Sequence, residues 1–196
     1  MAINKEELIS ENTVLYVDQV RKSYGKKRVL KNMSFSIEKG KIVGFLGPNG
    51  CGKTTLVKLN GLMPVTDGVI LVGGKKIGKE TKAMVSYLPE RTYLNNWMKV
   101  KDILDFFGDL FEDFDRQRAE QMFSDMKIGL NEKLKNLSKG TKEKVQLVLV
   151  MSRQADLYIL DEPIAGVDPA ARSYIMKTIL TNLPEESSLL IVTHLI

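Results

Sequence analysis

The stretch Gly47-Pro48-Asn49-Gly50-Cys51-Gly52-Lys53-Thr54-Thr55 decides how this chain is read. It follows an apolar run, Ile42-Val43-Gly44-Phe45-Leu46, and precedes Leu56, Val57, Leu59 and Leu62. The run predicts a buried strand, and the spacing after it predicts one face of a helix. Strand, glycine-rich loop and helix, in that order, are the context of a phosphate-binding loop, G-x-x-x-x-G-K-[ST], met here by Gly47, Gly52, Lys53 and Thr54. Glycines let the backbone curl so that successive N–H groups converge on phosphate oxygens. The free N–H groups of the following helix add to them. In such a loop the lysine reaches the β- and γ-phosphates and the threonine hydroxyl ligates Mg²⁺. A glycine turn without chemical meaning is the competing reading, and the strand and helix around it weigh against it.

A second constellation lies downstream. Leu157-Tyr158-Ile159-Leu160 is a continuous apolar run, as expected at the centre of a parallel sheet covered on both faces. Asp161 and Glu162 follow it directly, where open α/β sheets bind ligands. Asp161 can hold Mg²⁺, and Glu162 can orient and polarise an attacking water. An acidic N-cap pair before Pro163 is the alternative, and the phosphate loop upstream argues against it. His194, the only histidine, follows another apolar run, Leu189-Leu190-Ile191-Val192. At a strand end in parallel with Asp161 and Glu162 it can hydrogen-bond the γ-phosphate or the water.

Bulk properties bound the class. With 196 residues the chain is one domain with room for an inserted lobe. No apolar run approaches the ~18 residues that span a bilayer, and the first thirteen residues lack a signal-peptide core, so a cytoplasmic location is expected. The single cysteine, Cys51, excludes an intramolecular disulfide. The net charge of +5 includes a lysine cluster, Lys133, Lys135, Lys139, Lys142 and Lys144. It could face phosphate, lipid or nucleic acid, but a solvated helix surface accounts for most of it.

Short β-type runs at 14–17, 28–30, 35–37 and 69–72, separated by turn signals, predict an antiparallel sheet beside the loop. Val85-Ser86-Tyr87-Leu88 is a further strand stopped by Pro89. Val100, Ile103, Leu104, Phe107, Leu110 and Phe111 then recur at helical spacing, and Asp115 caps a second helix with Ala119, Met122, Phe123 and Met126 inward. Residues 91–137 thus read as a helical lobe. Leu137-Ser138-Lys139-Gly140-Thr141 opens another helix, with Val145, Val148, Leu149 and Ser152 on one face. Asp168 and Pro169 start a last one carrying Ala171, Ile175 and Ile179.

Taken together these motifs resemble the nucleotide-binding subunit of an ATP-binding cassette (ABC) transporter over nearly the whole chain. Residues 47–55 resemble the family's phosphate loop, 157–163 its second acidic motif, and Ala165-Gly166-Val167-Asp168 its dimer-contacting loop. His194 resembles the switch histidine and Tyr24 the aromatic that stacks on adenine. Residues 137–141 resemble the signature usually written L-S-G-G-Q. The resemblance implies an α/β P-loop NTPase fold: a RecA-like parallel-sheet core, an antiparallel β subdomain and an inserted α-helical subdomain. Core residues would be 1–90 and 138–196, with 91–137 inserted. It implies ATP and Mg²⁺ as ligands. Tyr24, Gly47, Asn49, Gly50, Cys51, Gly52, Lys53, Thr54, Thr55, Ser138 and Gly140 would bind the nucleotide. Thr54, Glu90 and Asp161 would serve the metal, and Lys53, Glu90, Glu162 and His194 catalysis. It also implies a homodimer or heterodimer, a membrane-spanning permease as partner, no nucleic acid, and a peripheral place on the inner membrane face.

Three departures stand out. Lys139 and Thr141 replace the first glycine and the glutamine of the signature. Glu90 stands where the family usually has glutamine, keeping an oxygen ligand but losing the amide donor. The chain also stops two residues after His194, where family members continue, so a shortened chain is expected. A soluble ABC ATPase acting on ribosomes or DNA, a weakly hydrolysing regulatory subunit, and an unrelated P-loop kinase are the competing functions. The segment 91–99, with Tyr93, Leu94, Trp97 and Met98, is either a docking face for the permease or, at Trp97, packing under the first lobe helix. The docking reading requires Tyr93 or Trp97 to be exposed.

Overall fold

A computed structural model of the chain describes residues 11–48, 50–58, 65–164 and 169–194. Asn49, Leu59, Leu62 and the 165–168 loop with Asp168 lie outside the described residues. Two sheets organise the rest. The antiparallel sheet contains β1 (Thr13–Tyr24), β2 (Lys27–Glu38), β4 (Asp67–Val72) and β5 (Lys75–Lys76), in the order β2-β1-β4-β5. The parallel sheet contains β3 (Ile42–Leu46), β6 (Val85–Leu88), β7 (Leu157–Asp161) and β8 (Ser188–Thr193), in the order β3-β8-β7-β6. The helices are α1 (Lys53–Lys58), α2 (Lys79–Met84), α3 (Val100–Leu110), α4 (Arg116–Asp125), α5 (Lys139–Met151) and α6 (Pro169–Asn182), with a 3₁₀ turn at Leu134–Asn136.

The runs read from sequence at 14–17, 28–30 and 35–37 are parts of two long strands. β1 and β2 continue through polar residues because bulges absorb them. The register shifts between Val17 and Val20, where Gln19 takes φ +48° and donates its N–H to Ser34 Oγ at 2.8 Å.

β7 shows how alternation builds the layers. It lies between β6 and β8, and all five of its residues are buried. Leu157 and Ile159 join the cluster formed by β1, β2, β4 and α1, whereas Tyr158 and Leu160 join the cluster formed by α3, α4, α5 and α6. The parallel sheet is thus a middle layer, with the antiparallel sheet and α1 on one face and helices on the other. Period-two alternation puts Asp161 on the same face as Ile159, toward α1.

The strand 42–46 corrects an expectation. It forms, but it is not buried. Among the described residues β3 pairs with β8 alone, and Ile42 and Leu46 are 54% and 55% exposed at this edge.

In the helical block Val100, Ile103, Leu104 and Phe107 are buried as their spacing predicts, but Leu110 is exposed and Phe111 already ends the helix. Asp115 caps α4, accepting from Arg118 N at 2.9 Å, and Ala119, Met122 and Phe123 are buried beneath it. α5 is buried on more than its expected face: Gln146, Leu147, Val150 and Met151 are also enclosed, because the helical block packs against it from one side and the sheet from the other. Arg153, just past α5, ties these units together, donating to the carbonyls of Ala83 and Val85 and to the Asp113 carboxylate.

Candidate functional site

β3 delivers the chain into the glycine loop, and α1 carries it away. Gly52 adopts φ +100°, and a Cβ there would lie 2.7 Å from Leu30 Cδ2 and 3.2 Å from the Val29 carbonyl oxygen. The position therefore needs glycine twice over, for backbone angle and for closeness to β2. Lys53 is only 6% exposed. Its Nζ donates to the carbonyl oxygens of Gly47 at 2.5 Å and Pro48 at 3.0 Å, curling back over the loop that precedes it.

Thr54 and Asp161 are brought together as the alternation in β7 requires. Thr54 Oγ1 donates to Asp161 Oδ1 at 3.4 Å. Both are oxygen donors of the kind Mg²⁺ takes. Among the described residues no group of three or more His, Cys, Asp or Glu side chains forms a metal cage.

Glu162 follows Asp161 with a left-handed backbone, φ +54°. Both of its carboxylate oxygens are engaged from the end of β8. Thr193 Oγ1 donates to Oε2 at 3.0 Å, and His194 Nδ1 meets Oε1 at 2.7 Å. A carboxylate only accepts, so Nδ1 carries the proton in this contact.

A cleft of about 810 Å³ gathers these groups. Gly50 to Thr55, Glu90, Glu162 and His194 line it together with Lys27 to Met33 of β2. Lys27, Arg28 and Lys31 add cationic charge to the cleft, which favours a polyanion. Sequence reasoning missed this wall; its signal was the density of basic residues on a strand whose outward positions are solvent-exposed.

Glu90 and Glu162 also border a second cavity of about 410 Å³, shared with Asp161, Arg91, Lys139 and Lys142. Tyr87 was not singled out from the sequence either. It sits opposite Ile159 on β6. Among the described residues its buried hydroxyl has no partner at normal hydrogen-bond distance, and burial first, then the charges of Asp161 and Glu90 and a weaker hydrogen-bonding contribution from Asp161, hold its pKa well above the usual phenol range.

The other expected residues divide between the cleft and the rest of the surface. Tyr24 is 45% exposed, beneath the Lys22 ammonium, and does not line the cleft, although its cross-strand partner Lys27 does. Ser138 caps α5, accepting from Thr141 N at 3.1 Å, and neither it nor Gly140 lines the cleft of its own chain. Cys51 is exposed within the loop. In the 91–99 segment Tyr93 and Trp97 are 52% and 70% exposed, so Trp97 is not packed under α3. No helix among the described residues is long and apolar enough to cross a membrane.

Comparison with known proteins agrees with this geometry. The family model described as ABC transporter matches residues 30–165. The linearmycin resistance ATP-binding protein of Bacillus subtilis is 34% identical over 177 residues, covering 85% of this chain and 56% of that protein. The manganese transport system ATP-binding protein of the same organism is 33% identical over 193 residues, covering 91% of this chain and 75% of that one. A solved structure of an ATP-binding subunit of an ABC transporter superposes with a TM-score of 0.84 at 27% identity, covering 93% of this chain and 80% of that chain. The matched span is more than half of the sequence and includes the glycine loop, the signature segment and the acidic strand end, so the chain belongs to the ABC transporter family.

Proposed function

We propose that this chain binds and hydrolyses ATP as the nucleotide-binding subunit of a transporter whose membrane-spanning permease is a separate protein. The observation that carries this reading is the gathering of Lys53, Thr54, Glu162 and His194 around one cleft, with Asp161 beneath Thr54. ATP enters with its triphosphate along the glycine loop. Lys53 turns from the carbonyls of Gly47 and Pro48 to the phosphate oxygens. Thr54 and Asp161, with Glu90 at the cleft wall, would hold Mg²⁺, which would supply charge neutralisation on the phosphates. Glu162 accepts a proton from water as the water oxygen bonds to the γ-phosphorus. The bond from that phosphorus to the β,γ-bridging oxygen breaks, and ADP and phosphate leave. His194 keeps the Glu162 carboxylate aimed at the water. Phosphoryl transfer asks for little more than such positioning and charge.

The same reading covers the rest of the molecule. Residues 1–90 and 138–196 form the nucleotide-binding core and 91–137 the inserted helical subdomain. Two copies, or this chain and a related one, pair head to tail so that Ser138 and Gly140 of one complete the cleft of the other. The position of this signature outside its own chain's cleft supports that arrangement. Tyr93 and Trp97 face the permease, and the subunit sits peripherally on the cytoplasmic side of the membrane. The deciding experiment compares the chain with Glu162→Gln in an acceptor-free ATPase assay and in ATP binding. The variant should bind ATP like the parent and lose turnover. Equal turnover in the two would move the proton acceptor elsewhere.

A further inference from the structure

Thr193 holds two parts of the cleft at once. It is the last residue of β8 and only 6% exposed. Its hydroxyl donates to Glu162 Oε2 at 3.0 Å. Its carbonyl accepts from Gly47 N at 3.4 Å, the first residue of the glycine loop. Its neighbours act on the same glutamate: the Val192 carbonyl accepts from Glu162 N at 2.8 Å, and His194 Nδ1 meets Oε1 at 2.7 Å. Three consecutive residues therefore fix the backbone and both carboxylate oxygens of Glu162. The left-handed φ of +54° at Glu162 is a conformation that a non-glycine residue keeps only when its surroundings over-determine it.

We propose that Thr193 is a positioning residue for hydrolysis, which rests on the reading that Glu162 takes the proton from the attacking water. A carboxylate held at one oxygen pivots about that contact. Held at both, it presents its remaining lone pairs in one direction. The hydroxyl of Thr193 supplies the second hold, and its carbonyl ties the same strand end to the entrance of the loop. β8 thereby sets the separation between the phosphate-binding backbone and the proton acceptor. Losing the hydroxyl releases the pivot while leaving Lys53, Thr54 and the loop amides untouched, so the damage falls on rate and not on binding. Displacements of this kind are costly because the reacting groups must stay within a narrow geometry.

Thr193→Val keeps the β-branched shape that suits a strand and removes only the hydroxyl; Thr193→Ser keeps the hydroxyl. With the full chain, kcat and KM for Mg-ATP are measured together with the Kd of trinitrophenyl-ATP. For Thr193→Val, kcat should fall about tenfold or more while KM and Kd stay within about threefold, and Thr193→Ser should recover kcat to within about threefold of the parent. Retained kcat in Thr193→Val, an equal loss of nucleotide affinity, or no recovery with serine overturns the proposal. Glu162→Gln, run alongside, separates the two levels. If it turns over like the parent, the reading of Glu162 fails. If it is inert while Thr193→Val is fully active, only the positioning role fails.

Discussion

Replacing Arg153 by alanine tests how the helical block is attached to the nucleotide-binding layers. The guanidinium is 4% exposed. Its Nε donates to Asp113 Oδ1 and Oδ2 at 3.0 and 3.2 Å, and Nη2 donates to Oδ2 at 3.0 Å. Nη1 donates to the Val85 carbonyl at 2.8 Å and Nη2 to the Ala83 carbonyl at 2.6 Å, at the junction of α2 and β6. The ring of Phe111 lies 4.0 Å from the guanidinium carbon. Alanine leaves two carbonyls without this donor, at about 1–3 kcal/mol for each group left unsatisfied, and a carboxylate that is 27% exposed and can take water instead. Against a typical stability of about 5–15 kcal/mol, that brings the chain close to unfolding at room temperature. Urea unfolding read by circular dichroism gives the difference directly. Arg153→Lys keeps the charge but not the fork, so it should lose about half as much. A double-mutant cycle with Asp113→Ala should return a coupling of about 1–3 kcal/mol. A loss below about 1 kcal/mol for Arg153→Ala would refute the claim that this side chain is the anchor.

Four further outcomes follow from the site. Lys53→Ala should weaken trinitrophenyl-ATP binding about 10- to 100-fold, since one charge-assisted contact is worth about 1.5–3 kcal/mol; parental affinity would contradict the role of the loop. Gly52→Ala should lower stability by roughly 1–3 kcal/mol through strain and overpacking against Leu30, seen as a reduced Tm. Tyr87→Phe removes a hydroxyl that has no partner at normal hydrogen-bond distance among the described residues, so stability should change by less than about 1 kcal/mol or rise; a larger loss would point to a hydrogen bond from that hydroxyl, with Asp161 the nearest charge. Trp97→Ser, at an exposed position, should leave Tm and basal ATPase unchanged and abolish the stimulation of ATPase by the permease; unchanged stimulation would place the docking surface elsewhere.

Much of this molecule was legible before its structure. Phosphate loops are written in local spacing, and the buried strand at 157–160 in apolar continuity, so Lys53, Thr54, Asp161 and Glu162 could be named from sequence. What escaped depends on contacts across the sheets. Ile42 to Leu46 has the composition of a central strand, and only the strand order shows it at an edge. β1 and β2 looked fragmented because Asp18, Gln19, Lys31 and Asn32 interrupt the apolar pattern, whereas bulges carry the ladder through or past them. Leu110 continues a helical repeat beyond the point where the core ends. The basic wall of β2 belongs to the cleft only because the antiparallel sheet lies over the loop. Tyr87 and Thr193 carry no motif, and their place follows from strand pairing alone.

The ammonium of Lys53 is already spoken for before any nucleotide arrives, bound to the carbonyls of Gly47 and Pro48. Any anion entering the loop competes with these intramolecular acceptors, so one new contact to the lysine contributes less than its full worth. A lone inorganic phosphate or sulfate therefore gains little by displacing them. A triphosphate, which can engage the lysine, the loop amides and the Thr54 hydroxyl together, gains on several contacts for one displacement. If the loop takes ATP as proposed above, the self-contact favours a ligand that makes several contacts at once over one that makes a single contact. It also gives the buried ammonium hydrogen-bond acceptors within its own loop.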